Sequence, residues 1–351
     1  MNIGFVTYWG WGRGQAYVSK NLVKVLLPYH NVNILKRGTN AIESEFPKIN
    51  GIITENKGYD ISEKFLKEWI SDRKLDVIMF MEEQWPSMQT SCNLVKVAKS
   101  TGVKIYGCPM WEVFNPEDLE TYKLYDKIVL FIKCAYNKMM GYGLNNIIYL
   151  PWGVDLKEFK YKEKLSGDVV TFYIPGGWGG MYDRKNIDSV VKAFNLLNNE
   201  NARLVISIQK QGHSRNDGNI KIISGDLSRE TLISLYQDCD VVVMPSKWEG
   251  LGLTFAEAFS CGKPVITVDA PPMNEFVKAN INGFLAEIKK IEHYPGVHVQ
   301  GHVVDEKSLK NQMSKCFNPM ILNILKGNAR RTAMELYDWN KNKLKFIELF
   351  K

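Results

Sequence analysis

No apolar run in this sequence approaches the ~18 residues that a membrane-spanning helix requires. The opening MNIGFVTYWGWG has neither a basic region ahead of its apolar residues nor a small-residue cleavage site, and it reads as a first buried strand, not a signal peptide. Cysteine is sparse. Cys92, Cys108, Cys134, Cys239, Cys261 and Cys316 stand singly, without the C-x-x-C spacing of a zinc or redox site. Buried free thiols in a reducing cytoplasm are the reading this favours, with peripheral contact at a membrane face left open. There is no basic block either. The formal net charge of +7 is spread along the chain, which suits an anionic partner such as a nucleotide, a phosphorylated acceptor or a membrane surface and gives little support to nucleic-acid binding. No internal repeat or low-complexity tract stands out.

A length of 351 residues exceeds the reach of one hydrophobic core, so two domains are expected. Short β-branched runs alternate with segments of helical period. Strands are expected at residues 2–8, 32–36, 76–81, 103–107, 127–132 and 147–150, then at 169–174, 204–208, 220–223, 241–244 and 264–268. Val18, Leu22, Val25 and Leu26 recur at helical spacing after the first strand, as do Ile187, Val190, Val191, Phe194 and Leu197 in the second half. Continuous apolar strands alternating with helices imply parallel sheets covered on both faces. The expected class is therefore α/β, with two doubly wound, Rossmann-like domains facing a central cleft. The join is expected in the polar segment 161–168, giving domains at 1–165 and 166–336 and a terminal helix at 337–351.

The segment 289–303, KKIEHYPGVHVQGHV, interrupts this alternation. His293, His298 and His302 would suit a metal if they shared a face. Pro295 and Gly296 break any helix there, and Val297, Val299 and Val303 suggest a short hairpin, so a surface insertion is expected.

The densest chemistry lies in residues 244–268, MPSKWEGLGLTFAEAFSCGKPVITV. A strand ends at Pro245, a glycine-bearing loop follows, and a helix begins near Thr254. Phe255, Ala258 and Phe259 make the buried stripe of that helix, which leaves Glu257 on the opposite side. A carboxylate just past the C-terminal end of a parallel strand lies where open α/β sheets bind ligands. Glu249 stands in the loop itself, where Gly250 and Gly252 let backbone N–H groups approach an anionic or hydroxylated ligand. Taken alone, two glutamates at this spacing also fit a solvated helix face. In the first half, Gly10, Gly12 and Gly14 join the first strand to the first helix. A dinucleotide turn would want G-x-G-x-x-G and an acidic end to the second strand. Here the third glycine is displaced and that strand ends in Lys36 and Arg37, which excludes the nicotinamide reading.

SKWEGLGLTFAEAF resembles the E-x-x-x-x-x-x-x-E segment of retaining glycosyltransferases with the two-domain GT-B fold, glycosyltransferase family four in particular. The flanks are similar to the family's as well: ISGDLSRETLISLYQDCDVVVMPS upstream, then CGKPVITVDAPPMNEFV and NGFLAE downstream. PWGVDLKEF (151–159) resembles the linker signature, with Trp152 in place of the usual Asn, and YDWNKNKLKFIELF (337–350) resembles the last helix, which crosses back onto the N-terminal domain. The resemblance implies a donor site in the C-terminal half and an acceptor site in the N-terminal half. It assigns Glu249 to donor-sugar hydroxyls, the amides of Gly250, Leu251, Gly252 and Leu253 to sugar and diphosphate, and Glu257 to both ribose hydroxyls. Lys185 matches the family lysine that stabilises the departing diphosphate, and Arg184 adjoins it. Gly177 belongs to the glycine run 176–180 that stands where the family has an earlier arginine, while Gly12 and Gly14 match the glycine-rich loop of the first domain.

The implied function is transfer of a hexose-type sugar from a UDP- or GDP-sugar to an acceptor hydroxyl with retention, without a cofactor or catalytic metal. Charge on the leaving diphosphate would be met by Arg184, Lys185 and amides. The acceptor stays open among glycan, lipid, protein, small molecule and modified nucleic acid. Where many members carry a histidine after the fourth strand, this chain has Pro109 or Met110. Trp111 and Glu112 are the candidates there, Glu112 either orienting an acceptor hydroxyl or supplying a helix N-terminal charge, and Glu82, Glu83 and Trp85 end the preceding strand. Asp238 and Asp240 look like a D-x-D metal motif but immediately precede a buried strand, so a structural role is expected. Two rivals share the fold: a sugar-nucleotide epimerase and a non-catalytic nucleotide- or glycan-binding module.

Overall fold

The computed structural model describes residues 1–10, 14–38, 53–55, 60–81, 89–163, 168–177, 183–209, 212 and 214–351, with backbone only for residues 55 and 89–92. They form two compact units, Met1–Pro151 with Lys343–Lys351, and Trp152–Asn342.

The first unit carries strands β1 (Asn2–Thr7), β2 (Asn31–Lys36), β3 (Ile53–Glu55), β4 (Val77–Met81), β5 (Lys104–Cys108), β6 (Lys127–Leu130) and β7 (Ile147–Tyr149). They lie in the order β3-β2-β1-β4-β5-β6-β7, every pairing parallel. Helices α1 (Gly14–Leu26), α2 (Glu63–Asp72), α3 (Gln89–Ser100), α4 (Leu119–Tyr122) and α5 (Lys133–Gly141) make the crossovers that parallel strands require. The interior residues of β1 and β4 are buried without alternation, as strands covered on both faces must be. The chain's last residues belong to this unit: Phe350 packs on Tyr106 with ring centroids 5.3 Å apart, and Phe346 on Phe131 at 6.2 Å.

The second unit carries β8 (Val170–Gly177), β9 (Ala202–Ile208), β10 (Arg215–Asp217), β11 (Ile220–Ser224), β12 (Val241–Val243), β13 (Val265–Val268) and β14 (Gly283–Ala286). Its order is β10-β11-β9-β8-β12-β13-β14, parallel except for β10. Its helices are α6 (Ile187–Leu197), α7 (Arg229–Asp238), α8 (Leu253–Ser260), α9 (Met273–Phe276), α10 (Glu306–Lys315) and α11 (Pro319–Leu336), followed by the terminal α12 (Trp339–Leu349). A two-stranded antiparallel hairpin, β15 (Ile288–Glu292) with β16 (Gly301–Val304), occupies the segment that breaks the sequence alternation. At Gly283 a Cβ would fall 1.9 Å from the carbonyl oxygen of Val265, so only glycine lets β14 approach β13.

Every strand expected from the sequence is present. The short β3, β10 and β14 were not among the expected strands. The division between units falls at residue 151, ahead of the expected join at 161–168. The reason is packing: Trp152 lies against Trp339 with centroids 4.4 Å apart, and the fully buried Phe159 accepts a hydrogen bond at its carbonyl from Ser260 Oγ. Residues 152–163 thus serve the second core. For the same reason residues 337–342 stay with the second unit, the Nδ2 of Asn342 donating to the carbonyls of Trp152 and Leu336. No helix among the described residues is long and apolar enough to cross a membrane.

Candidate active site

In the second unit, strand order reverses between β8 and β12: the chain leaves β8 toward β9 on one side and returns to β12 on the other. The ends of such neighbouring parallel strands form the crevice where open α/β sheets bind ligands. Two loops leave this edge, one running from β8 to α6 and one from β12 to α8.

The two loops are tied together. Lys247 N donates to Arg184 O at 2.7 Å, and Asn186 Nδ2 donates to Pro245 O at 2.7 Å and His302 O at 3.2 Å. Asn186, buried and left-handed at φ 52°, caps α6. Asparagine tolerates that conformation, and its amide supplies both bonds. These ties bring Lys185 Nζ within 2.5 Å of Glu249 Oε1 and Arg184 Nη1 within 3.0 Å of Glu249 Oε2. Ser246 Oγ donates to Glu249 Oε1 at 2.6 Å. Burial by itself would raise the pKa of Glu249, but Lys185 and Arg184 hold it down at about 2. Burial pulls the Lys185 pKa down while Glu249 opposes that shift. The carboxylate is ionised, and the site holds two cations and one anion at the sheet edge.

The β12–α8 loop enters α8 through Gly252, whose φ of 70° is left-handed and whose Cβ, if present, would lie 2.3 Å from the Phe276 ring. Gly250 and Leu251 precede it and Leu253 opens the helix, so the first amides of α8 stand beside the Glu249 loop. Glu257 lies on α8. It lies off the Phe255–Ala258–Phe259 stripe, yet it is buried, because α8 is covered on every side from Phe255 to Ser260. Tyr236 Oη of α7 donates to Glu257 Oε2 at 3.0 Å, and Arg229 Nη1 lies 3.4 Å from Oε1. A solvated helix face is thereby excluded. Burial raises the pKa of Glu257, with Arg229 and the Tyr236 hydroxyl working against the shift.

Gly177 closes β8 with φ 52°, its carbonyl accepting from Gln209 N at 2.7 Å. In the first unit, Gly14 begins α1, while Gly12, with Trp11 and Arg13, lies outside the described residues, as do Glu82, Glu83 and Trp85. Glu112 is buried in a single 3-10 turn, Trp111–Val113, just after β5. Asp240 is committed to structure: its Oδ1 takes a 3.0 Å bond from Lys326 Nζ and its Oδ2 one from Thr171 N. His302 is buried in β16 whereas His293 and His298 are exposed, so the three histidines do not share a face. The hairpin braces the Glu249 loop. His302 N donates to Lys247 O at 2.9 Å, and the Trp248 and Tyr294 rings pack at 5.2 Å.

Sequence reasoning missed Ser246, Arg229 and Tyr236. Arg229 and Tyr236 stand seven apart on α7, one face over two turns. That spacing was the available signal, but nothing in it names Glu257 as the partner.

The architecture is the GT-B fold of glycosyltransferases, two Rossmann-like α/β units, and the candidate site lies at the switch point of the second. Residues 178–295 match the family model described as Glycosyl transferases group 1. Over 268 residues the chain is 28% identical to uncharacterized glycosyltransferase 335 of Sulfolobus islandicus rod-shaped virus 1, covering 71% of this chain and 76% of the relative. It is also 28% identical over 200 residues to UDP-Gal:alpha-D-GlcNAc-diphosphoundecaprenol alpha-1,3-galactosyltransferase of Escherichia coli, and there the match spans about half of each protein, 51%. The crystal structure of Anabaena Alr3699/HepE in complex with UDP and glucose superposes with a TM-score of 0.77 at 13% identity, covering 100% of this chain and 99% of that one, a likeness of fold. Together these matches support a glycosyltransferase of group 1.

Proposed function

We propose that the protein is a retaining glycosyltransferase that moves a hexose-type sugar from a nucleoside diphosphate sugar, with UDP or GDP as carrier, to an acceptor hydroxyl. The observation that carries this reading is the meeting of Arg184, Lys185 and Glu249 at the switch point, beside the first amides of α8. Two cations and a helix N-terminus suit a diphosphate whose charge grows as it departs, and such preorganised charge lowers the barrier without reorganisation. A carboxylate between them suits sugar hydroxyls, and buried Glu257 suits a ribose diol. The relatives that match the chain are glycosyltransferases, and one named after a UDP-sugar donor is among them. Glu112 is assigned to the acceptor hydroxyl, and Gly12 and Gly14 to the loop that approaches both diphosphate and acceptor. In this reading Arg184, Lys185 and the α8 amides meet the diphosphate charge, and neither a metal nor a cofactor takes part.

The test is a panel of sugar nucleotides incubated with glycan and lipid acceptors, the product linkage being read by NMR. An α-linked product from an α-linked donor is expected. A β-linked product would overturn retention and make Glu112 the first candidate base. A new sugar nucleotide formed from donor alone would establish the epimerase instead, and tight donor binding without any turnover would establish a binding module.

A further inference from the structure

Arg229 is the first residue of α7, where a cation meets the positive end of the helix dipole. Its position is explained by two carboxylates. Glu158 takes a two-pronged contact, Arg229 Nε to Oε1 at 2.9 Å and Nη2 to Oε2 at 3.3 Å, and Glu257 stands on the other side at 3.4 Å. The Phe159 ring underlies the guanidinium at 4.6 Å. Glu158 therefore holds Arg229 beside Glu257 without letting it close into the short geometry of a charge-assisted bond. Two turns along the same helix, Tyr236 is fully buried. Its ring is locked edge-on against Tyr173 at 5.2 Å and Phe159 at 6.0 Å, leaving its hydroxyl aimed at Glu257 Oε2.

We infer that Tyr236 and Arg229 are positioning residues for Glu257, fixing its carboxylate as a charged, oriented acceptor of a vicinal diol. The inference rests on the proposed donor site, where that diol is the ribose of a nucleoside diphosphate. Each carboxylate oxygen has two acceptor directions. Tyr236 uses one on Oε2 and Arg229 sits loosely at Oε1, so each oxygen keeps a direction for one hydroxyl. Without Tyr236 the carboxylate turns freely, and without Arg229 a buried anion lacks its nearest cation. In both cases what is lost is recognition of the hydroxyls, not of the diphosphate.

The experiment is calorimetry on the parent, Tyr236→Phe and Arg229→Gln. The ligands are uridine and guanosine diphosphates, their dideoxy analogues lacking both ribose hydroxyls, and inorganic diphosphate. The parent is expected to favour the ribose form by ~10–100-fold, the worth of hydrogen bonds to a charged group. Each variant should compress that preference to a few-fold while inorganic diphosphate binds as to the parent, a split that general loosening of the fold would not produce. If Tyr236→Phe does not fold, Arg229→Gln carries the test, because that side chain is 26% exposed. Folded variants that keep the parent's preference overturn the inference. A parent that binds both sugar forms equally removes the role of Glu257 and the inference with it, leaving the donor site standing. A parent that binds no nucleoside diphosphate overturns the donor site itself.

Discussion

Lys185 Nζ and Glu249 Oε1 stand 2.5 Å apart, one supplied by the loop after β8 and the other by the loop after β12. Each is the other's counter-ion in a buried setting, and Arg184 completes the cluster from the second carboxylate oxygen. The residues expected to meet a diphosphate and the residue expected to meet a sugar therefore form one electrostatic unit. Substitutions that break the unit should separate catalysis from binding.

Glu249→Gln keeps the size of the side chain and removes its charge. Turnover should fall by roughly one to two decades, the worth of a charge-assisted bond. The bare diphosphate should bind at least as tightly as to the parent, because Arg184 and Lys185 lose a competing anion. Steady-state kinetics beside calorimetry decides it, and a variant that turns over normally would remove Glu249 from the mechanism.

Glu257→Gln should behave the other way. Ribose is the same in donor, transition state and released diphosphate, so uniform binding is lost: KM for the donor and Kd for the diphosphate rise together while kcat changes less. Equal diphosphate affinity in variant and parent would refute the ribose assignment.

The two carboxylates should also leave opposite marks on stability. Glu249 has a depressed pKa, so its contribution is fully present above the ordinary glutamate value of 4.5 and is lost as pH falls toward about 2. Breaking its buried pair at neutral pH costs up to about 3–5 kcal/mol, so Glu249→Gln should melt well below the parent at pH 7 and converge with it in acid. Glu257 has a raised pKa, so ionising it costs stability as pH rises above the ordinary value. Glu257→Gln should melt at or above the parent at pH 7, as expected where a site is kept for function. Thermal melts of both variants from about pH 2 to about pH 8 test the pair of signs.

Turnover should persist in excess chelator, because Arg184, Lys185 and the α8 amides supply the positive potential. Asp240 is already engaged by Lys326 and Thr171. Loss of activity on chelation, restored by magnesium or manganese, would contradict this.

Gly252→Ala should destabilise the entry to α8. Its left-handed backbone costs an alanine ~1–2 kcal/mol, and the new methyl meets the Phe276 ring, adding roughly 1–3 kcal/mol of overpacking. A fall in melting temperature with weaker diphosphate binding is expected, and an unchanged melt would show that the loop relaxes freely.

Much of this protein was legible in one dimension because its strands are apolar throughout and its helices carry a single stripe, signals confined to a few neighbouring residues. Thus 2–8, 76–81 and 241–244 announced buried parallel strands, and Glu249, Glu257, Arg184 and Lys185 stood out against glycine-bearing loops at strand ends. The sequence could not show what those side chains face. Lys185 and Glu249 are 64 positions apart, and they meet because β8 and β12 are neighbours in the sheet, which depends on strand order and not on any local period. The alternative of a solvated face for Glu257 stayed open because a helix stripe marks one buried face, whereas α7 covers a second with Tyr236 and Arg229. The unit boundary moved for the same reason: 152–163 carries polar residues, but Trp152 and Phe159 find their apolar partners far along the chain, in Trp339 and Tyr236. Local pattern sets which segments fold and which residues are available for chemistry; long-range packing sets their partners, and with them their charge.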